Sequence, residues 1–138
     1  MRTLGSAVNA DYDLTGSGAA IYNATPDASN PRWVAFDIAV GDGTKNLDGT
    51  GGDFTLDVTI GGVAYDGASQ TKTVDASTTR LRFQSVLLLI PANAAVVITL
   101  TSPNGSDTDV DVTVQPYDVA PLQPSTVGRT IGVESDGD

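Results

Sequence analysis

A chain of 138 residues with a net charge of −10, an isoelectric point near 4.1, no histidine and no cysteine excludes a good deal before any pattern is read. The missing side chains remove the commonest general base, the thiol nucleophile and the usual zinc ligands, while the acidity argues against nucleic acid and against an anionic membrane as partners. Sixteen aspartates against one glutamate, Glu134, also argue against long exposed helices, because aspartate favours caps and turns where glutamate favours helix interiors.

Residues 1–17 are small and polar, with Leu4, Val8, Tyr12 and Leu14 scattered among them, and read as an N-terminal arm. No apolar stretch of a secretory signal follows the start, so synthesis in a cytoplasm is expected. Residues 19–23 form a weak strand. A turn-rich loop, 27–31, leads into 32–40, where Val34, Phe36, Ile38 and Val40 share one face of a strand. The loop 41–52 precedes the clearest strand of the chain. In 53–60, Phe54, Leu56, Val58 and Ile60 alternate with Asp53, Thr55, Asp57 and Thr59. Gly61-Gly62 then supplies the positive φ angles of a tight hairpin, and Val63 starts the return strand.

Residues 70–75 form another weak strand. In 80–90 alternation gives way to a continuous apolar run, Val86 to Ile90, which predicts a strand buried on both faces or crossing between two sheets. Residues 94–101 and 108–115, joined by Ser102-Pro103-Asn104-Gly105-Ser106, predict a hairpin. After Tyr117, Pro121 and Pro124 take the chain out of the sheet as a C-terminal arm, 120–138. The expected architecture is all-β, an antiparallel two-sheet sandwich of jelly-roll type over 18–119, with extended arms at both ends. The arms carry apolar side chains outside any strand pattern. Leu4 and Val8 on the first, and Leu122, Val127, Ile131 and Val133 on the second, are therefore expected to dock on a partner.

Candidate chemistry is sparse. Asp42, Asp48 and Asp53 sit in a Gly-rich stretch that could offer oxygen ligands to calcium. Their spacing does not match the alternating ligands of an EF-hand loop, and the reading preferred is aspartate used for turn geometry. Asp107, Asp109 and Asp111 alternate, so their carboxylates are expected to line one strand face; they could chelate a cation, but the reading preferred is a solvated face that discourages edge pairing. Trp33 could serve as a platform for a sugar ring, or could cover a sheet edge. Tyr12, Tyr22, Tyr65 and Tyr117 read as rim or corner residues. Two carboxylates in a cleft would suffice for glycoside hydrolysis, but sixteen aspartates put some pair close together by chance. No enzyme activity, no cofactor and no metal is the expectation.

The segment Ile90-Pro91-Ala92-Asn93-Ala94, the strand 96–100 and the stretch Ser102-Pro103-Asn104-Gly105-Ser106-Asp107-Thr108-Asp109-Val110-Asp111-Val112 resemble small β-sandwich structural proteins of tailed bacteriophages. Ile21-Tyr22-Asn23-Ala24-Thr25-Pro26 and Asn46-Leu47-Asp48-Gly49 share the resemblance. It implies a virion component, a capsid decoration (cement) protein or the anchoring domain of a fibre. Such a protein is made in the host cytoplasm, forms a homo-oligomer, typically a trimer, and binds other virion proteins through its termini. The alternative is a glycan-binding β-sandwich module using Trp33 and loop carboxylates, with or without calcium.

Overall fold

The computed structural model describes residues 2–84, 87–105 and 107–119. Its strands in chain order are β1 (Arg2–Thr3), β2 (Val8–Tyr12), β3 (Ala19–Ala24), β4 (Arg32–Val40), β5 (Gly52–Ile60), β6 (Val63–Ala64), β7 (Gln70–Val74), β8 (Leu81–Gln84), β9 (Leu88–Ile90), β10 (Val96–Thr101) and β11 (Val110–Asp118), with a single 3-10 turn at Asp66–Ala68. They form two antiparallel sheets. Sheet A places β1 and β2 along one edge of β11, then β4, then β8 and β9 along the far edge; sheet B runs β3, β10, β5, with β6 and β7 on the outer side of β5. All connections except β1–β2, β5–β6–β7 and β8–β9 pass from one sheet to the other. That is jelly-roll connectivity, as the strand count and turn spacing predict.

Period-two patterning builds the core. Val34, Phe36, Ile38 and Val40 of β4 and Val110, Val112 and Val114 of β11 face inward from sheet A, with Phe83, Leu88 and Ile90 beside them. Phe54, Leu56 and Val58 of β5 and Val96, Ile98 and Leu100 of β10 face them from sheet B. Each such side chain contributes roughly 1.5–3 kcal/mol by leaving water. The β5–β6 hairpin turns at Gly61 and Gly62, whose φ angles are 59° and 82°, the left-handed pair that only glycine adopts without strain.

Three expectations need correction. The N-terminal segment is not an arm: Arg2–Thr3 and Val8–Tyr12 both pair with β11, and Leu14 is fully buried. Alternation there is too short to read as a strand, and the pairing is set by the distant β11. The break between β1 and β2 falls opposite Pro116, which has no amide hydrogen to offer an edge strand; Leu4 N donates to Pro116 O at 2.9 Å instead. Residues 94–101 and 108–115 do not form a hairpin, because β10 lies in sheet B and β11 in sheet A. Their Pro-Asn-Gly link turns a corner between sheets, and corner and hairpin use the same turn chemistry. The apolar run ending at Ile90 stays in sheet A and alternates, with Leu88 and Ile90 buried and Leu89 half exposed. Residues 120–138, including Leu122, Val127, Ile131 and Val133, lie outside the described residues.

Candidate functional site

The aspartates explain themselves first. Asp13, Asp27, Asp42, Asp48 and Asp75 each accept the amide hydrogen two residues ahead, from Thr15, Ser29, Thr44, Thr50 and Ser77, at 2.8 to 2.9 Å. One methylene reaches that amide and two overshoot it, so the turns select aspartate over glutamate. The Thr15 hydroxyl and amide hold the Asp13 carboxyl below the ordinary carboxylate range, the Ser77 hydroxyl and amide do the same for Asp75, and the Thr44 amide and hydroxyl for Asp42. Asp27 falls furthest, to about 2, because the Arg32 guanidinium donates to it before the Ser29 and Asn30 amides add their share. Asp42, Asp48 and Asp53 do not converge: Asp42 and Asp48 serve separate turns, and Asp53 accepts from Thr73 Oγ1 on β7. Nor do Asp107, Asp109 and Asp111 line one strand face, since β11 starts only at Val110 and Asp109 adopts a φ of 52°.

The outer face of sheet A carries both aromatic and charged side chains. Trp33 is on β4, a central strand, and not at a sheet edge; Val34 points into the core, so Trp33 points out. It lies opposite Leu89 of β9. Tyr117 of β11 stands opposite Ala35, which makes it a diagonal neighbour of Trp33 on the same face. The other tyrosines lie elsewhere. Tyr22 packs edge-on against Phe36 with ring centroids 4.9 Å apart, Tyr12 donates to Ile21 O at 3.4 Å, and Tyr65 is exposed.

Four residues further along β4, roughly 13 Å away, Asp37 meets Arg82 of β8 across the strand pair. Arg82 Nε donates to Asp37 Oδ1 at 2.8 Å and Nη2 to Asp37 Oδ2. The two parallel bonds fix the guanidinium plane, and Asp37 raises the Arg82 pKa further. Arg82 borders two shallow clefts. One, of about 410 Å³, is lined by Asp37, Ala39, Gly41, Arg80 and Arg82 among others. The second, of about 340 Å³, is lined by Gln70, Lys72, Arg82 and Gln84 where the edges of the two sheets meet. Three of the chain's seven lysines and arginines thus gather at one edge of a strongly acidic protein. Lys72 forms no ion pair among the described residues.

The partner-docking residues expected at the N-terminus are divided by the structure. Leu4 packs against the protein's own core, whereas Val8, on the edge strand β2, is half exposed. Sequence reasoning singled out Trp33 but missed Leu89, Tyr117 and the Asp37–Arg82 fork, whose proximity depends on cross-strand register.

No protein-family model matches the chain, and no curated protein matches it. Among solved structures it is similar to the C-terminal domain of EclA, described as a sugar-binding protein, at 7% identity and a TM-score of 0.51, covering 82% of this chain and 79% of that one. Two mannanases match more weakly. A ruminal GH26 endo-beta-1,4-mannanase reaches a TM-score of 0.41 at 14% identity, covering 79% of this chain, and the Podospora anserina GH26-CBM35 mannanase reaches 0.42 at 10% identity, covering 86%. The chain spans 22% and 29% of those two enzymes. At such identities the first likeness shows the fold, a β-sandwich, and the other two add no argument.

Proposed function

We propose that this protein is a non-catalytic carbohydrate-binding β-sandwich module that holds an oligosaccharide on the outer face of sheet A. The observation that carries the reading is the composition of that face. An outward tryptophan, flanked by Leu89 and Tyr117, shares it with a rigid Asp37–Arg82 fork and two shallow clefts. Sugar rings offer an apolar C–H face and a rim of hydroxyls, so a binder needs an aromatic surface and fixed donors and acceptors in one plane. Trp33 supplies the first, and Arg82, Asp37 and Gln84 supply the second. The fold-level likeness to a sugar-binding domain supports this reading over a virion role, which rests on short sequence phrases and gains nothing from the similar structures.

Trp33 is the chain's single tryptophan, so its emission reports on the proposed site directly. Oligosaccharides identified on an array of neutral and uronic-acid glycans are expected to shift that emission saturably. Trp33→Ala is expected to lose retention on the same array while keeping its β-type circular dichroism. An array without hits from folded protein, or hits retained in full by Trp33→Ala, overturns the proposal.

A further inference from the structure

Asp48 and Asp107, read from the sequence as members of separate turns, meet inside the fold. Asp48 comes from the β4–β5 loop and Asp107 from the β10–β11 corner. The β2–β3 loop closes over them, with Leu14 N donating to Asp107 O at 2.9 Å. Asp48 is 2% exposed. Its Oδ1 is fully engaged, accepting from the Thr50 and Gly51 amides at 2.9 and 3.0 Å, from Thr50 Oγ1 at 2.9 Å and from Asn104 Nδ2 at 3.2 Å. Its Oδ2 is buried without a partner, and so is Asp107 Oδ2, although the two carboxyls are close enough to act on one another directly.

A third oxygen completes the cluster. Ser102 is 5% exposed, and its Oγ is likewise buried and unpartnered, lying beside the Asp107 carboxyl without hydrogen-bond geometry. Lys45 is a cation that acts on Asp107 among the described residues, and its Nζ donates to the carbonyls of Thr108 and Asp109 at 3.2 and 3.3 Å. Three buried oxygens, two of them carboxylate, are therefore gathered here with the Ser102 hydroxyl as the one nearby donor not already engaged. Such groups are very costly to leave unsatisfied.

We propose that Asp48, Asp107 and Ser102 form a site for a hard divalent cation, with calcium the best fit, which ties the β4–β5 loop to the β10–β11 corner. The donor set is all oxygen, and the chain contains no histidine or cysteine, so soft and borderline metals have no preferred ligand here. Calcium accepts irregular mixtures of carboxylate, hydroxyl, carbonyl and water, whereas magnesium demands near-octahedral geometry and dehydrates reluctantly. Burial and then the Asp48 carboxyl push the Asp107 pKa up to about 6. For Asp48, burial is outweighed by the Thr50 amide and its other donors, which hold the carboxyl below its usual range. The site is independent of the glycan-binding reading.

The test is thermal melting of the full chain at pH 7.5 with EDTA, 1 mM calcium or 1 mM magnesium, together with native mass spectrometry of the calcium-loaded protein. Calcium is expected to raise Tm by several degrees and to appear as one ion per chain, since a ligand that binds only the folded state stabilises it. Asp107→Asn removes one charge at nearly constant shape. It is expected to lose the calcium response yet melt in EDTA no lower than the unmodified protein, because the repulsion between carboxylates is relieved. Ser102→Ala is expected to shrink the response without abolishing it. Absence of any calcium shift or bound ion overturns the site, a full response in Asp107→Asn overturns its ligands, and a response to magnesium alone overturns the choice of ion.

Discussion

Trp33 and Leu89 stand directly opposite each other across the β4–β9 pair, on the face of sheet A turned away from the core. Leu89 is half exposed although its neighbours Leu88 and Ile90 are fully buried, so the apolar surface of Trp33 is extended toward the sheet edge. Leu89→Asp is therefore expected to weaken glycan retention at least tenfold while lowering Tm by no more than a few degrees, because the substituted side chain enters water and not the core. Array binding and a melting curve on the same sample check both halves. A large fall in Tm with unchanged binding would contradict the placement.

Arg82 tests the polar half of the same face. Lysine keeps the charge but cannot make two parallel bonds to Asp37. Arg82→Lys is expected to reduce glycan affinity by about tenfold with little change in stability, since exposed ion pairs contribute roughly 0–1 kcal/mol. Calorimetric titration with the best array hit measures the first, and urea unfolding the second.

The turn aspartates predict the acid limb of the stability curve. Their folded pKa values lie below the ordinary value near 3.8, and Asp27 is at about 2. A depressed carboxyl contributes stability that is complete above its unfolded pKa and is lost as pH falls through its folded one. Unfolding is therefore expected to steepen between roughly pH 4 and pH 2. Asp27→Asn, which keeps the turn bond but not the Arg32 ion pair, is expected to flatten that limb in a pH series of urea unfolding midpoints.

Asp75 separates charge from reach. Asp75→Asn still bonds the Ser77 amide, whereas Asp75→Glu places its carboxylate one methylene too far away. The glutamate variant is expected to melt a few degrees lower than the asparagine variant by differential scanning calorimetry, although it alone keeps the charge.

Val112 and its neighbour Asp111 test the register of β11. Val112 is fully buried, while the Asp111 side chain points outward to accept from Asn9 Nδ2 at 3.0 Å. Val112→Asp is expected to cost at least about 3 kcal/mol and Asp111→Ser less than about 1 kcal/mol in urea unfolding. Equal losses would mean that the strand is read on the wrong face.

What could be read from residues alone followed the range over which each signal acts. Asp53 to Ile60 with Gly61-Gly62 carries strand period and turn type within ten residues, and the structure matches it. Ser102 to Ser106 carries equally clear turn chemistry, yet nothing local distinguishes a hairpin from a corner between sheets, since that depends on which strands are already paired. Residues 2–12 have little alternation of their own and become strands because β11 offers them an open edge. Trp33 was visible as a lone aromatic, but its companions Leu89 and Tyr117 reach it only through cross-strand register. The meeting of Asp48 with Asp107 and Ser102 was hidden for the same reason, because loops brought together by the fold leave no spacing to count.

The pairing of β1 with β11, which sets Arg2 against Asp118, has a consequence for how the protein is made. Sheet A cannot be finished until residue 118 has left the ribosome, because β11 separates the N-terminal strands from β4. Until then β4 has an open edge, and β1 and β2 have nothing to join. Sheets closed by their most distant strands refold slowly, in roughly milliseconds to seconds. A nascent chain stopped short of β11 displays an unpaired, valine- and isoleucine-rich edge that invites association with other chains. The net charge of −10 opposes such association during that wait.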